Sequence, residues 1–107
     1  MNSTSVSPPG AGRPGIQSVE VAGIILEALA RAPGAAQLKD IADAAGMPPA
    51  KLHRYLVSLM RTGLVEQDAS SGRYGIGPLA LTLGLAALSR IDVVRSVTEV
   101  LPGLRDA

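Results

Sequence analysis

"MPPAKLHRYLVSLMRTGLV", residues 47–65, decides how the rest of the chain is read. Wound at about 100° per residue, Lys51, Arg54, Tyr55, Ser58, Arg61 and Thr62 fall within one arc of about 120°. Leu52, Leu56, Leu59 and Met60 take the opposite side, with His53 and Val57 between the two. Pro49 suits the first turn of a helix, and Gly63 stands where a C-terminal glycine ends one, so the spacing predicts a helix over 49–62. Between Pro48 and Val65 the basic residues are two Arg, one Lys and one His, and no residue is acidic. The overall net charge is only +1, so the cations are concentrated here while the carboxylates, among them Glu20, Glu27, Asp40, Asp43, Glu66 and Asp68, lie elsewhere.

Working outward, "KDIADAAG" reads as a brief helix over about 39–45, stopped by Gly46 and turned by Met47-Pro48-Pro49. Two helices joined by a tight turn, the second amphipathic and basic, make a helix-turn-helix candidate. Before them, Ser18 is positioned to cap a helix over about 19–31, in which Val21, Ile25 and Leu29 recur every four residues beside Ile24 and Ala28. Gly23 inside it costs about 1 kcal/mol relative to Ala, so tertiary packing must hold that helix. Pro33 and Gly34 end it, and a very short extended stretch over 36–38 follows. After the basic helix, Leu64–Gln67 and Arg73–Ile76 flank the turn formers of 68–72, which predicts a hairpin. Three helices and a hairpin form a mainly α fold with a small β-hairpin, the winged helix-turn-helix arrangement.

"GPLALTLGLAALSR", residues 77–90, alternates leucines as a strand does, yet Leu81, Leu85 and Leu88 also fit a helix. Pro78 at the start and the Leu/Ala content favour the helix. It would be apolar nearly all round and would need cover on both sides. Asp92 is placed to cap a last helix from Val93, with Val93, Val97, Val100 and Leu104 as its stripe. The opening residues 1–15, rich in Ser, Pro and Gly with one charge at Arg13, read as a disordered leader without the basic start and apolar stretch of an export signal.

Composition limits the alternatives. The core of this 107-residue chain is aliphatic, since there is no Phe or Trp and only two Tyr. The absence of cysteine removes disulfides and thiolate metal sites. The longest uncharged run, residues 74–89, is too short and too broken by glycine and proline to span a bilayer as a helix, so a cytoplasmic chain with no membrane contact is expected. His53 has no second His, no Cys and no carboxylate pair at ligand spacing, so no metal or other cofactor is expected, and His53 reads as a structural residue at the edge of the core. No nucleophile–base pairing suggests an enzyme; Ser70, Ser71 and the aspartates are explained by turns and caps. Asp40 and Asp43 read as solvated residues near a helix start, Glu66 as a solvated hairpin residue, Tyr74 as an aromatic packing the hairpin onto the helices, and Arg13 as a passive tail residue.

A basic face on a surface helix is ordinarily just solvated. Its context here, a short preceding helix, a Gly-Met-Pro turn and a following hairpin, points instead to double-stranded DNA. In the major groove Arg and Lys reach guanine O6 and N7, while Ser and Tyr reach phosphate or base edges. The candidate DNA-binding residues are therefore Lys51, Arg54, Tyr55 and Ser58 for bases or nearby backbone, with Arg61 and Arg73 for phosphates.

"GIQSVEVAGIILEALA" and "LKDIADAAGMPPAKLHRYLVSLMRTGLVEQDASSGRYGIGPLALTLG" together resemble the amino-terminal domain of the IclR-type bacterial transcription regulators. The most specific parts are the "HRYL…L…GLVEQD" and "GRYGIGPLALTLG" blocks and their spacing. The resemblance implies a winged helix-turn-helix domain over 16–77, a linker helix over 78–90 that helps pair two subunits on a pseudo-palindromic operator, and the start of an effector-binding domain over 91–107. It implies a chain holding the reader without the sensor, so no small-molecule effector is expected to bind it. Relative to the family, Val21 replaces an Arg early in the first helix, Lys39 stands where the second helix usually begins with Ser or Thr, and Ala50-Lys51 replaces a Ser-Thr pair. A competing reading is a winged-helix interaction module that dimerises through 77–104 and no longer binds DNA.

Overall fold

The computed structural model describes residues 13–91. The order is α1 (Gln17–Arg31), α2 (Leu38–Ala45), α3 (Pro49–Thr62), β1 (Val65–Gln67), β2 (Tyr74–Ile76) and α4 (Pro78–Ser89). This is the mainly helical, winged arrangement the sequence predicts. The last helix expected from Val93, with its stripe, lies outside the described residues.

α1 starts earlier than its capping residue suggested. Ile16 occupies the N-cap without a side-chain bond, and Ser18 lies inside the first turn. The Ile16 carbonyl accepts from Val19 and Glu20 N–H at 3.1 and 3.3 Å. Val21, Ile25 and Leu29 are buried as expected, but Ile24 is 48% exposed, and Ala22 and Leu26 join the core from the other flank. Past α1 the extended stretch exists as a single bridge: Ala36 and Tyr74 exchange backbone hydrogen bonds at 2.8 Å each way, tying the α1–α2 connection to the hairpin.

Lys39 is not the N-cap of α2. The helix opens at Leu38 behind Gln37, which makes no side-chain cap bond, and Lys39 sits within the first turn beside Asp40, whose charge suits the helix dipole. Gly46 ends α2 at φ 69°, the left-handed conformation that favours glycine. Gly46 and Met47 N–H then donate to the Asp43 and Ala42 carbonyls, and the chain turns into α3. α3 has the predicted bounds. Pro48 is its N-cap and Pro49 its first residue, where the fixed φ of proline fits and the missing N–H leaves no bond unmade.

Gly63 closes α3 at φ 85°, and a Cβ there would also press on Leu79 Cβ at 3.3 Å. The hairpin pairs Val65 with Ile76, Glu66 with Gly75 and Gln67 with Tyr74, antiparallel. Its strands are one residue shorter on each side than the sequence suggested: Leu64 N–H is drawn off to the Leu59 carbonyl as part of the α3 cap. Gly77 is buried where a Cβ would collide with the Gly63 carbonyl, so the chain passes close behind the end of α3 before α4 begins.

The core is formed by Ile25 of α1, Leu52 and Leu56 of α3 and Val65 of β1, all under 2% exposed except Val65 at 2%, with Leu29, Ile41, Ala42, Leu59 and Tyr74 around them. Among the described residues no charged side chain is buried. The fold thus anchors α3 by one apolar stripe and leaves its other side to solvent.

Candidate nucleic-acid interface

α3 is the second helix of the helix-turn-helix. Its depth in the core sets which residues can meet a partner. Leu52, Leu56 and Leu59 are buried, whereas Ala50, His53, Arg54, Ser58 and Arg61 are exposed. Lys51 and Val57 are half-buried, Lys51 at one margin of that face and Val57 within it, between His53 and Ala50. Tyr55 is half-buried too and packs against the core, so the face is centred closer to Arg54 and Arg61 than an arc drawn through Tyr55 implies.

His53 departs from its expected structural role. It is exposed and has no hydrogen-bond partner among the described residues, because the buried stripe centres on Leu52–Leu56–Leu59 rather than on Met60. Centring the helical wheel on those three leucines would have found His53 and Ala50 on the outer face. Thr62, also in the sequence arc, is turned to its own helix: its hydroxyl donates to the Leu59 carbonyl at 2.8 Å.

The cations of α3 have no counter-charge among the described residues. The one ion pair among the described residues joins Arg31 to Glu27 at 3.4 Å within α1, leaving Lys51, Arg54 and Arg61 without a carboxylate partner there. Beside this face, Ser18, Val19 and Ala22 of α1 and Tyr55, Leu59 and Leu64 enclose an open apolar cleft of about 600 Å³, with Arg54 and Ser58 at its rim.

The hairpin forms the wing. Asp68 organises its tip: one carboxylate oxygen accepts the Ser70 hydroxyl at 2.7 Å and Ser71 N–H at 2.8 Å. The Ser71 and Ser70 side chains and the Ser71 N–H hold the Asp68 carboxyl well below its ordinary value, at about 2. Gln67 closes the loop from the other strand, its amide donating to the Gly72 carbonyl at 3.0 Å. Arg73 is exposed on the wing, with its guanidinium leaning 3.5 Å from the Ala35 carbonyl.

α4 differs from the other helices. Leu79 N–H donates to the Gly63 carbonyl at 2.8 Å, which fastens its first turn beneath the end of α3. Beyond that turn it has no buried residue, and Leu81, Leu83 and Leu85 are 60%, 56% and 57% exposed. The cover expected on both sides is not supplied by the described part of this chain. No helix among the described residues is long and apolar enough to cross a membrane.

The comparisons agree with this geometry. The IclR helix-turn-helix domain family matches residues 18–69, which run from the first turn of α1 to the wing. A glycerol operon regulatory protein of Streptomyces coelicolor is 41% identical over 73 residues, 68% of this chain and 29% of that protein. The transcriptional repressor IclR of Escherichia coli is 29% identical over 82 residues, 77% of this chain and 30% of that protein. Among solved structures, Pseudomonas aeruginosa HmgR superposes with a TM-score of 0.69 at 45% identity, over 85% of this chain and 37% of that one. The chain thus spans about three-tenths of the length of the curated relatives it matches. Those relatives are transcription regulators and not enzymes. With a winged helix-turn-helix whose second helix presents cations that have no carboxylate partner among the described residues, and with that match from α1 to the wing, the chain belongs to the IclR family through its DNA-binding helix-turn-helix domain.

Proposed function

We propose that this chain binds double-stranded DNA as a homodimer and lays α3 of each copy into the major groove of a pseudo-palindromic operator. The observation that carries this reading is the two-sidedness of α3, with Leu52, Leu56 and Leu59 buried and Arg54 and Arg61 exposed without a carboxylate partner among the described residues. Arg54 makes the bidentate base contact, Lys51, Tyr55 and Ser58 reach bases or adjacent backbone from its flanks, and Arg61 and Arg73 hold phosphates. Residues 16–77 act as the reader and 78–90 as the pairing helix. Residues 91–107 lead toward an effector-binding domain, and the protein works in the cytoplasm.

Pairing through α4 is supported by its composition and exposure. Five leucines on a twelve-residue helix that buries none of them form an apolar surface of the kind that marks an interaction site. The same observation favours a second reading, an interaction module that dimerises through this region without binding DNA. Fluorescence-anisotropy titration of the chain with duplex DNA at two salt concentrations separates them. DNA binding that weakens steeply with salt supports the operator reader. No binding at low salt leaves only the interaction module.

A further inference from the structure

The tip of α3 has an unusual chemistry for a helix end. Pro48 at the N-cap and Pro49 at the first position carry no N–H, and both are exposed with Ala50 directly after them. Helix N-termini ordinarily hold anions through their unpaired N–H groups. Here two of those four donors are missing, which leaves only the Ala50 and Lys51 N–H ahead of the first helical bond, from Leu52 N–H to the Pro48 carbonyl at 3.0 Å, and the first side chain after the prolines is a methyl group. Three consecutive side chains therefore offer the groove carbon rather than hydrogen-bond donors.

Arg54 lies four residues beyond Ala50, on the same side of the helix and one turn on, so their Cβ atoms stand roughly 6 Å apart. Base pairs follow one another at about 3.4 Å along the duplex. The two side chains thus address base pairs one or two steps apart. In the major groove thymine alone among the four bases presents a methyl group, and small apolar side chains are its partners.

We infer that Ala50, exposed beside the Pro48–Pro49 tip, selects a thymine by its C5-methyl group one or two base pairs from the guanine held by Arg54. This rests on the reading of α3 as the groove-binding helix, and it adds to it a half-site preference. Burying the methyl pair excludes water from both, which corresponds to about a four-fold preference for thymine over uracil at that position.

The test starts from a randomised duplex library enriched on the intact chain at about 50 mM salt, where phosphate contacts are strongest. The enriched duplex is then remade with deoxyuridine for the single thymine nearest the guanine, and separately with 7-deazaguanine for that guanine. Affinities are measured for the wild type, Ala50→Gly and Ala50→Ser, each checked by thermal melting. The expected result is a loss of about four-fold on uracil substitution in the wild type and none in either variant, with 7-deazaguanine weakening all three. An equal uracil effect in all three proteins, or no thymine enriched within two positions of the guanine, overturns the inference while the 7-deazaguanine loss upholds the groove reading. A library that does not enrich at all overturns both.

Discussion

α3 and α4 begin alike and end differently. Each starts with proline at its first position after an extended residue, each is leucine-rich, and they differ in length by only two residues, 14 against 12. Yet α3 buries three leucines and α4 buries no residue. The contrast is one of pattern rather than hydrophobicity. α3 confines its leucines to one stripe that a single concave surface, made by α1, α2 and the hairpin, can cover. α4 spreads Leu79, Leu81, Leu83, Leu85 and Leu88 around its circumference, and the core formed by the described residues is already filled by Ile25, Leu52, Leu56 and Val65. A helix with one apolar face belongs to its own domain. A helix with no polar face needs a partner.

The sharpest way to break the comparison is to exchange what the two helices do. Leu56→Ala removes a fully buried side chain, and denaturant titration is expected to show a loss of about 2–5 kcal/mol. Leu85→Ala, on a side chain already 57% exposed, is expected to cost far less in the isolated chain. Equal losses would mean that α4 is covered after all. Replacing Leu81 and Leu85 together by Glu is expected to convert a dimer to a monomer in sedimentation while leaving the melting of the reader domain unchanged; a dimer that persists would remove α4 from the interface.

The polar face of α3 is compared with the wing by DNA titration. Arg54→Ala is expected to lower operator affinity by about 1–3 kcal/mol and to relax base preference, whereas Arg73→Ala is expected to weaken all sequences alike and reduce the salt slope by about 1. If the two behaved identically on operator and random duplexes, the division between base reader and phosphate holder would be wrong. The smallest effect concerns the wing tip. Asp68 is charged in the folded loop down to about pH 2, below its ordinary 3.8, so the stabilisation its hydrogen bonds provide is present above pH 4 and lost as pH falls through about 2. An NMR titration of the Asp68 carboxyl is expected to find that low midpoint in the wild type and a return toward 3.8 in a Ser70→Ala, Ser71→Ala double variant.

Much of this was legible in the chain. The bounds of α3 follow from Pro49 and Gly63, residues whose backbone restrictions act locally and need no neighbour to enforce them. The place of the hairpin follows from the turn formers of 68–72, and the burial of Val21, Ile25 and Leu29 from their period. Capping was less legible. Ser18 and Lys39 look like first residues, but the first turns of α1 and α2 follow Ile16 and Gln37, and next to Gln37 the chain is held by the bridge from Ala36 to Tyr74 across 38 residues of sequence. The candidate site was legible in its residue types and less so in its orientation. Arg54, Ser58 and Arg61 lie outward as expected, while His53 joins them and Tyr55 turns partly inward.

What the amino-acid sequence determines here is the set of elements and the amphipathic split of α3, because proline, glycine and helical period act over a few residues. Which way that helix is rolled, and that α4 finds no cover in the described part of its own chain, was decided only by tertiary packing. The depth of a stripe depends on the shape of the surface receiving it, and that surface is assembled from segments far apart in the chain.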